Sequence, residues 1–266
     1  MRKIRLTIEY DGTRYAGWQS QKKMPAAGHF SGVRTIQEEI EGKLKRLLGQ
    51  EVSVVCAGRT DAGVHALGQV AAFQAGVSFR MQPDAIKKAL NATLPEDIRI
   101  LEADDCPADF HPRHDAVKKT YFYIMAMTPY PPVFIRRYAW GIPWRLDIEA
   151  MRQASAFILG KRDFSAFRAS GCGSKTPVKE IFSIEITRME EVCFLTAGLK
   201  GEFVRISITA DAFLRHMCRN IVGTLFLAGR GRLEPHSIKK IIESGDRRLA
   251  GPTAPAKGLF LEKVYY

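Results

Sequence analysis

Three stretches of the chain carry side chains whose types and spacing could do chemistry. The first is Ala57-Gly58-Arg59-Thr60-Asp61-Ala62-Gly63-Val64-His65-Ala66. Arg59 and Asp61 fall in one turn bracketed by Gly58 and Gly63, which let the backbone bend tightly and approach a ligand. A carboxylate near a guanidinium stays ionised even when partly dried, so Asp61 is a candidate nucleophile or base. Spacing alone favours a plainer account, an Asx-type turn with a surface ion pair. The second stretch is Asp211 to Gly223, read as a helix opening at Asp211, with apolar Phe213, Leu214, Met217, Ile221 and Val222. Arg215 and Arg219, four apart, would share a face. An arginine beside such a stripe needs an anionic partner, unless it snorkels to water. The third is Lys118-Lys119-Thr120-Tyr121-Phe122-Tyr123. On a strand Tyr121 and Tyr123 point one way, giving either a stacking surface for bases beside two lysines or ordinary half-buried sheet residues.

Other chemistries lack their residues. There is no H-E-x-x-H, no P-loop, no G-x-G-x-x-G after a strand and no G-x-S-x-G. The six histidines do not fall at ligand spacing, and His65 reads as a turn hydrogen-bonder. The five cysteines are an odd number without a C-x-x-C pair, so neither a disulfide framework nor a zinc site is expected, and free thiols in a reducing compartment fit better. No metal and no cofactor are expected.

The elements that must position these residues repeat one order. Ile4, Leu6 and Ile8 alternate with Lys3, Arg5, Thr7 and Glu9, which predicts a strand. Thr35 with Glu38 forms a capping box for a helix bearing Ile36, Ile40, Leu44, Leu47 and Leu48 and ending at Gly49. Strands at 52–57 and 69–74, a helix from Pro83 to Leu90 and a strand at 98–101 complete the half. The second half reads as a strand at 119–127, a helix from Asp147 to Leu159, strands at 181–187 and 203–209, a helix at 213–227, another after Pro235, and a strand at 259–265. Both halves are β-α-β-β-α-β, the split-βαβ order of ferredoxin- and RRM-like folds. The expected class is therefore α+β, with antiparallel sheets, an N-terminal domain over residues 1–105 and a C-terminal domain over 106–266, the junction falling within 103–112. Residues 21–32, 168–177 and 244–258 read as looser loops, either RNA-contacting or plain connectors.

Composition sets the partner. Hydrophobic residues at 46% and charged residues at 26% describe a globular chain. Forty Lys and Arg against 28 Asp and Glu leave a net charge of +12, which suits a polyanion such as nucleic acid. The N-terminus alternates instead of forming a signal core, and the longest apolar run, near Ile221 to Ala228, is too short to span a bilayer. A soluble cytoplasmic protein without a membrane partner is expected.

The sequence resembles the tRNA pseudouridine synthase I (TruA) family over nearly its whole length. The resemblance rests on Tyr10-Asp11-Gly12-Thr13-Arg14-Tyr15-Ala16-Gly17-Trp18-Gln19, Gly58 to Ala66 with Gln69-Val70, Phe110 with Arg113, Tyr121 with Tyr123, Asp163-Phe164, Phe213-Leu214 through Arg219 to Gly223, and Ala254-Pro255 with Gly258-Leu259. It implies that Asp61 is the catalytic carboxylate, Arg219 the arginine paired with it, and Tyr121 the catalytic tyrosine. It also implies that Arg59 holds the extruded base and that Leu259 packs near the uracil; Tyr123 joins them as a substrate-binding residue. The implied fold places a catalytic cleft between the two halves, and the implied partners are tRNA and a second copy in a homodimer. The implied substrate is a uridine at positions thirty-eight to forty of the anticodon stem-loop. Residues 22–32 lengthen one loop relative to the family, while Pro112, Lys119 and Arg162 replace the usual Ala, Arg and His. The implied isomerisation breaks the C1′–N1 bond, turns the uracil and joins C5 to C1′. Because the leaving group is retained and re-attacks, one carboxylate suffices where a hydrolytic glycosidase needs two. Attack on C1′, addition to the base and removal of a sugar proton all remain open for Asp61. A non-catalytic RNA-binding module would explain the charge and topology but not the 58–66 turn or Arg219; a metal-dependent nuclease would require a metal.

Overall fold

The computed structural model describes residues 2–19, 34–76 and 79–266, in two compact units: Met1–Val117 with Leu261–Tyr266, and Lys118–Phe260. The expected domain cut at residue 105/106 differs from this division. The segment after it still packs in the first unit, where the Phe110 and Tyr266 rings lie 5.1 Å apart and the Val117 amide donates to Tyr265 O at 2.9 Å.

The first unit contains β1 (Arg2–Tyr10), α1 (Ile36–Leu48), β2 (Val55–Cys56), β3 (His65–Ala75), α2 (Pro83–Asn91) and β4 (Ile98–Cys106). Ile4, Leu6 and Ile8 are fully buried and their neighbours on the other face are half-buried, the period of two that a one-sided sheet requires. The order β4-β1-β3 is antiparallel, and β2 pairs briefly with β3. With the element order β-α-β-β-α-β this is the expected split-βαβ arrangement. The capping box at Thr35 forms as read: its side chain accepts from the Glu38 amide, Glu38 reaches back, and Gly49 closes α1 at φ 70°. The loop at 20–33, including the long 22–32 segment, lies outside the described residues.

The second unit contains β5 (Lys118–Ala126), β6 (Trp140–Gly141), α3 (Ile148–Ala156), β7 (Gly160–Asp163), β8 (Val178–Phe194), β9 (Ala197–Ala210), α4 (Met217–Gly229), α5 (Ser237–Ser244) and the start of β10 (Leu259–Tyr265). Its strands run β5-β9-β8-β7, with β6 parallel to β5. β8 and β9 are about twice their expected lengths. Their pairing continues to Phe194 opposite Ala197 through a charged stretch in which apolar alternation gave no signal. β7 and β6 were not foreseen. α4 buries 11 of its 13 residues, so it is the central helix of this unit. No described helix is long and apolar enough to cross a membrane.

Candidate functional site

The Asp61 turn links β2 to β3 and is held mainly by backbone. The Trp18 amide donates to Thr60 O at 3.0 Å, the Gly63 amide to Tyr15 O at 3.3 Å, and the Val64 amide to Asp61 O at 3.1 Å. Gly17 sits at φ 98°, and a Cβ there would lie 2.6 Å from Thr60 O; only glycine lets the two segments meet this closely. Gly63 takes the left-handed conformation at φ 76°, whereas Gly58 has no positive φ. Two side chains reach the turn from the sheet. The Gln69 Nε2 donates to Gly58 O at 2.6 Å, and the Tyr10 hydroxyl lies 2.8 Å from Thr60 Oγ1. His65 Nδ1 lies 3.1 Å from the Gly12 amide and 3.0 Å from Asp11 Oδ1, in keeping with a turn hydrogen-bonder. On this scaffold Thr60 is buried, Asp61 half-buried and Arg59 exposed.

Arg219 lies in the first turn of α4 and is half-buried. The helix does not open at Asp211. The Asp211 carboxylate instead accepts from the amides of Ala212 (2.6 Å) and Glu180 (3.0 Å), fastening the end of β9 to β8. Residues 211–216 are irregular, ending at His216 with φ 61°, and the helix starts at Met217. Arg215 therefore precedes the helix, is exposed and donates to Ser170 O at 3.1 Å; the shared Arg215–Arg219 helical face does not exist.

What fixes Arg219 is a polar net that no sequence pattern singles out. The Arg219 Nε donates to Ala254 O at 2.7 Å while the Ala254 amide donates to Arg219 O at 3.1 Å. Fully buried Asn220 donates to Phe167 O at 2.8 Å and accepts from Arg247 at 2.9 Å and Thr253 at 2.7 Å. The Gly251 amide donates to Thr224 Oγ1 at 2.8 Å. A Cβ on Gly223 would stand 1.7 Å from Pro252 O, so residues 251–254 lie directly on the helix. Segment 244–258 is thus no loose connector but a clamped one. The only local hint was the density of small and hydroxyl residues, Gly223, Thr224, Gly251 and Thr253.

Tyr121 and Tyr123 share a face of β5, as their spacing predicts, and both rings are buried there. Tyr121 is 7% exposed and meets Phe213 edge-on at 4.9 Å. Tyr123 is 0% exposed, its hydroxyl donates to Pro255 O at 2.8 Å, and burial raises its phenol well above the ordinary value. The ring stands as a post under residues 255–258. Leu259, 6% exposed, begins β10 immediately beyond that post. Among the described residues no group of three or more His, Cys, Asp or Glu could hold a metal ion. No disulfide joins the five cysteines, all of them among the described residues, and burial pushes the Cys56 thiol up to about 12.

A strongly basic α+β chain with a carboxylate on a clamped turn has the charge to bind a polyanion and one fixed acid to act on it. Comparison makes this specific. The profile of the tRNA pseudouridine synthase family matches residues 6–115 and 154–266. A tRNA pseudouridine synthase A of Thermodesulfovibrio yellowstonii is 42% identical over 263 residues, covering 99% of both chains. The enzyme of the same name from Acetivibrio thermocellus is 41% identical over the whole of both chains. That from Myxococcus xanthus is 42% identical over all of this chain and 92% of its own. The chain belongs to the tRNA pseudouridine synthase family and is an isomerase that converts uridine to pseudouridine in tRNA.

Proposed function

We propose that this enzyme acts on uridines at positions thirty-eight to forty of the anticodon stem-loop, with Asp61 as its catalytic carboxylate. The observation that carries the reading is the Asp61 turn: a half-buried acid on a backbone tied to residues 15, 18 and 69. Catalysis by one carboxylate demands that its aim be fixed before the substrate arrives, because orientation is worth more than the strength of any one contact. The target nucleotide must leave its stack, at about a few kcal/mol, which phosphate contacts from a +12 chain offset.

In this reading Arg219 is the arginine of the catalytic set, and its anchorage on Ala254 limits where its charge can go. Tyr121 stacks on the base and relays the C5 proton after C5 joins C1′, giving up its own phenol proton as it takes that one, while N1, which left as an anion, is protonated. Arg59, exposed beside the carboxylate, holds the extruded base out of the helix. Leu259 packs on the uracil, and Tyr123 acts through the 255–258 segment that it supports. The reading includes a cytoplasmic homodimer, which sedimentation of the purified protein tests: a monomer at micromolar concentration would refute it.

Asp61→Asn preserves shape and removes the charge. Turnover should fall by at least about 1000-fold, judged by the scale on which single catalytic groups act, with tRNA affinity retained. Turnover at the parent rate would defeat the assignment. Mapping pseudouridine in tRNA from cells lacking the protein tests the position.

A further inference from the structure

We infer that Gln69 is a positioning residue for the reaction, a buried strut that sets the Asp61 turn from below. Gln69 is 0% exposed on β3, among Val70, Ala71, Ala72 and Phe73, where an apolar side chain would be the cheaper choice. Its Nε2 holds Gly58 O at 2.6 Å and lies 3.5 Å from the Tyr10 hydroxyl, which in turn holds Thr60 Oγ1 at 2.8 Å. The result is a buried chain Gly58–Gln69–Tyr10–Thr60 that grips the turn at both residues flanking Arg59.

Two observations set this apart from routine core packing. First, the Gln69 Oε1 is buried and has no hydrogen-bond partner among the described residues, so the amide is kept at a net loss to stability for the sake of the bond its other end makes. Second, the register of β1 on β3 breaks at this point. Ile8 faces Gln69, but Tyr10 faces Ala66, so β3 carries one extra residue between them. Such bulges re-aim side chains beside active sites, and this one brings Tyr10 and Gln69 onto the same turn.

The inference rests on Asp61 being the catalytic carboxylate, and the test separates the two. In purified full-length enzyme, Gln69→Leu should lower kcat by about 10- to 100-fold, the scale of a misplacement near 1 Å, with KM for tRNA within about twofold. Gln69→Glu should recover activity as pH falls, because only the protonated acid can donate to Gly58 O, whereas Gln69→Leu should show no such recovery. Thr60→Val, which keeps the shape and cuts the other end of the chain, serves if Gln69→Leu fails to fold, and it should show the same split of kcat from KM. Parent kcat in Gln69→Leu, or kcat and tRNA affinity lost together in both variants, would overturn the inference. An active Asp61→Asn would instead defeat the reading beneath it.

Discussion

The Asp61 turn and the Arg219 segment each fix a charged side chain, the first on irregular backbone and the second in the opening turn of α4, by opposite means. The turn is gripped through main-chain amides of residues 18 and 63, with Gln69 and Tyr10 added from the sheet. The Arg219 segment is gripped through side chains, Asn220, Thr224, Arg247 and Thr253, that stitch residues 247–254 onto α4. A backbone-held turn keeps its path through its glycines and amides, and its side-chain supports, Gln69 and Tyr10, adjust the aim more than the stability. A side-chain-held segment concentrates its stability in a few polar residues, each of which strands its partners when removed.

The difference can be broken experimentally. The largest effect should come from Gly223→Ala, whose Cβ would enter Pro252 O at 1.7 Å: about 3 kcal/mol or more, read as the urea midpoint. Parent stability would mean that segment 251–254 is not seated on α4. Next, Asn220→Ala leaves Phe167 O, Arg247 and Thr253 short of their partner and should cost about 2–4 kcal/mol by thermal melting.

A third measurement uses the buried phenols of Tyr10 and Tyr123, both raised by burial. Their folded-state values exceed the unfolded value of about 10. The stability they contribute is therefore complete below about pH 10 and is lost as pH rises beyond it. Tyr123→Phe should lower stability at neutral pH by about 1 kcal/mol and flatten the alkaline decline; an unchanged slope of unfolding free energy against pH would refute the enclosed phenol. The smallest effect is Gly42→Ala, on the exposed face of α1 with nothing within 4 Å of the added Cβ. It should raise stability by about 0.5–1 kcal/mol in the same urea assay and leave turnover alone.

Much of the fold was legible wherever local and tertiary demands coincide. The Thr35–Glu38 box, Gly49, the period-two run of β1 and the bounds of β10 all follow from short-range rules. The start of α4 was misread because Asp211 has the right type for a helix cap but spends its carboxylate on a neighbouring strand. β7 and the far half of the β8–β9 hairpin were missed because ladder bonds, not apolar alternation, define them. At the candidate site, Asp61, Arg219 and Tyr121 are singled out by type, spacing and resemblance, whereas alternation shows that Tyr121 and Tyr123 share a face of β5 and not what covers it.

By itself the sequence determined the α+β class, the order of the main elements but not β6 and β7, the excess of positive charge and the family, since each is written in residues that act on near neighbours or in bulk. Tertiary structure alone decided that Asn220 and Arg247 hold Arg219's helix, that Gln69 lies beneath the Asp61 turn, and that Tyr123 is a post. Those roles join residues up to 132 positions apart, and no local pattern encodes which distant carbonyl a buried donor will meet.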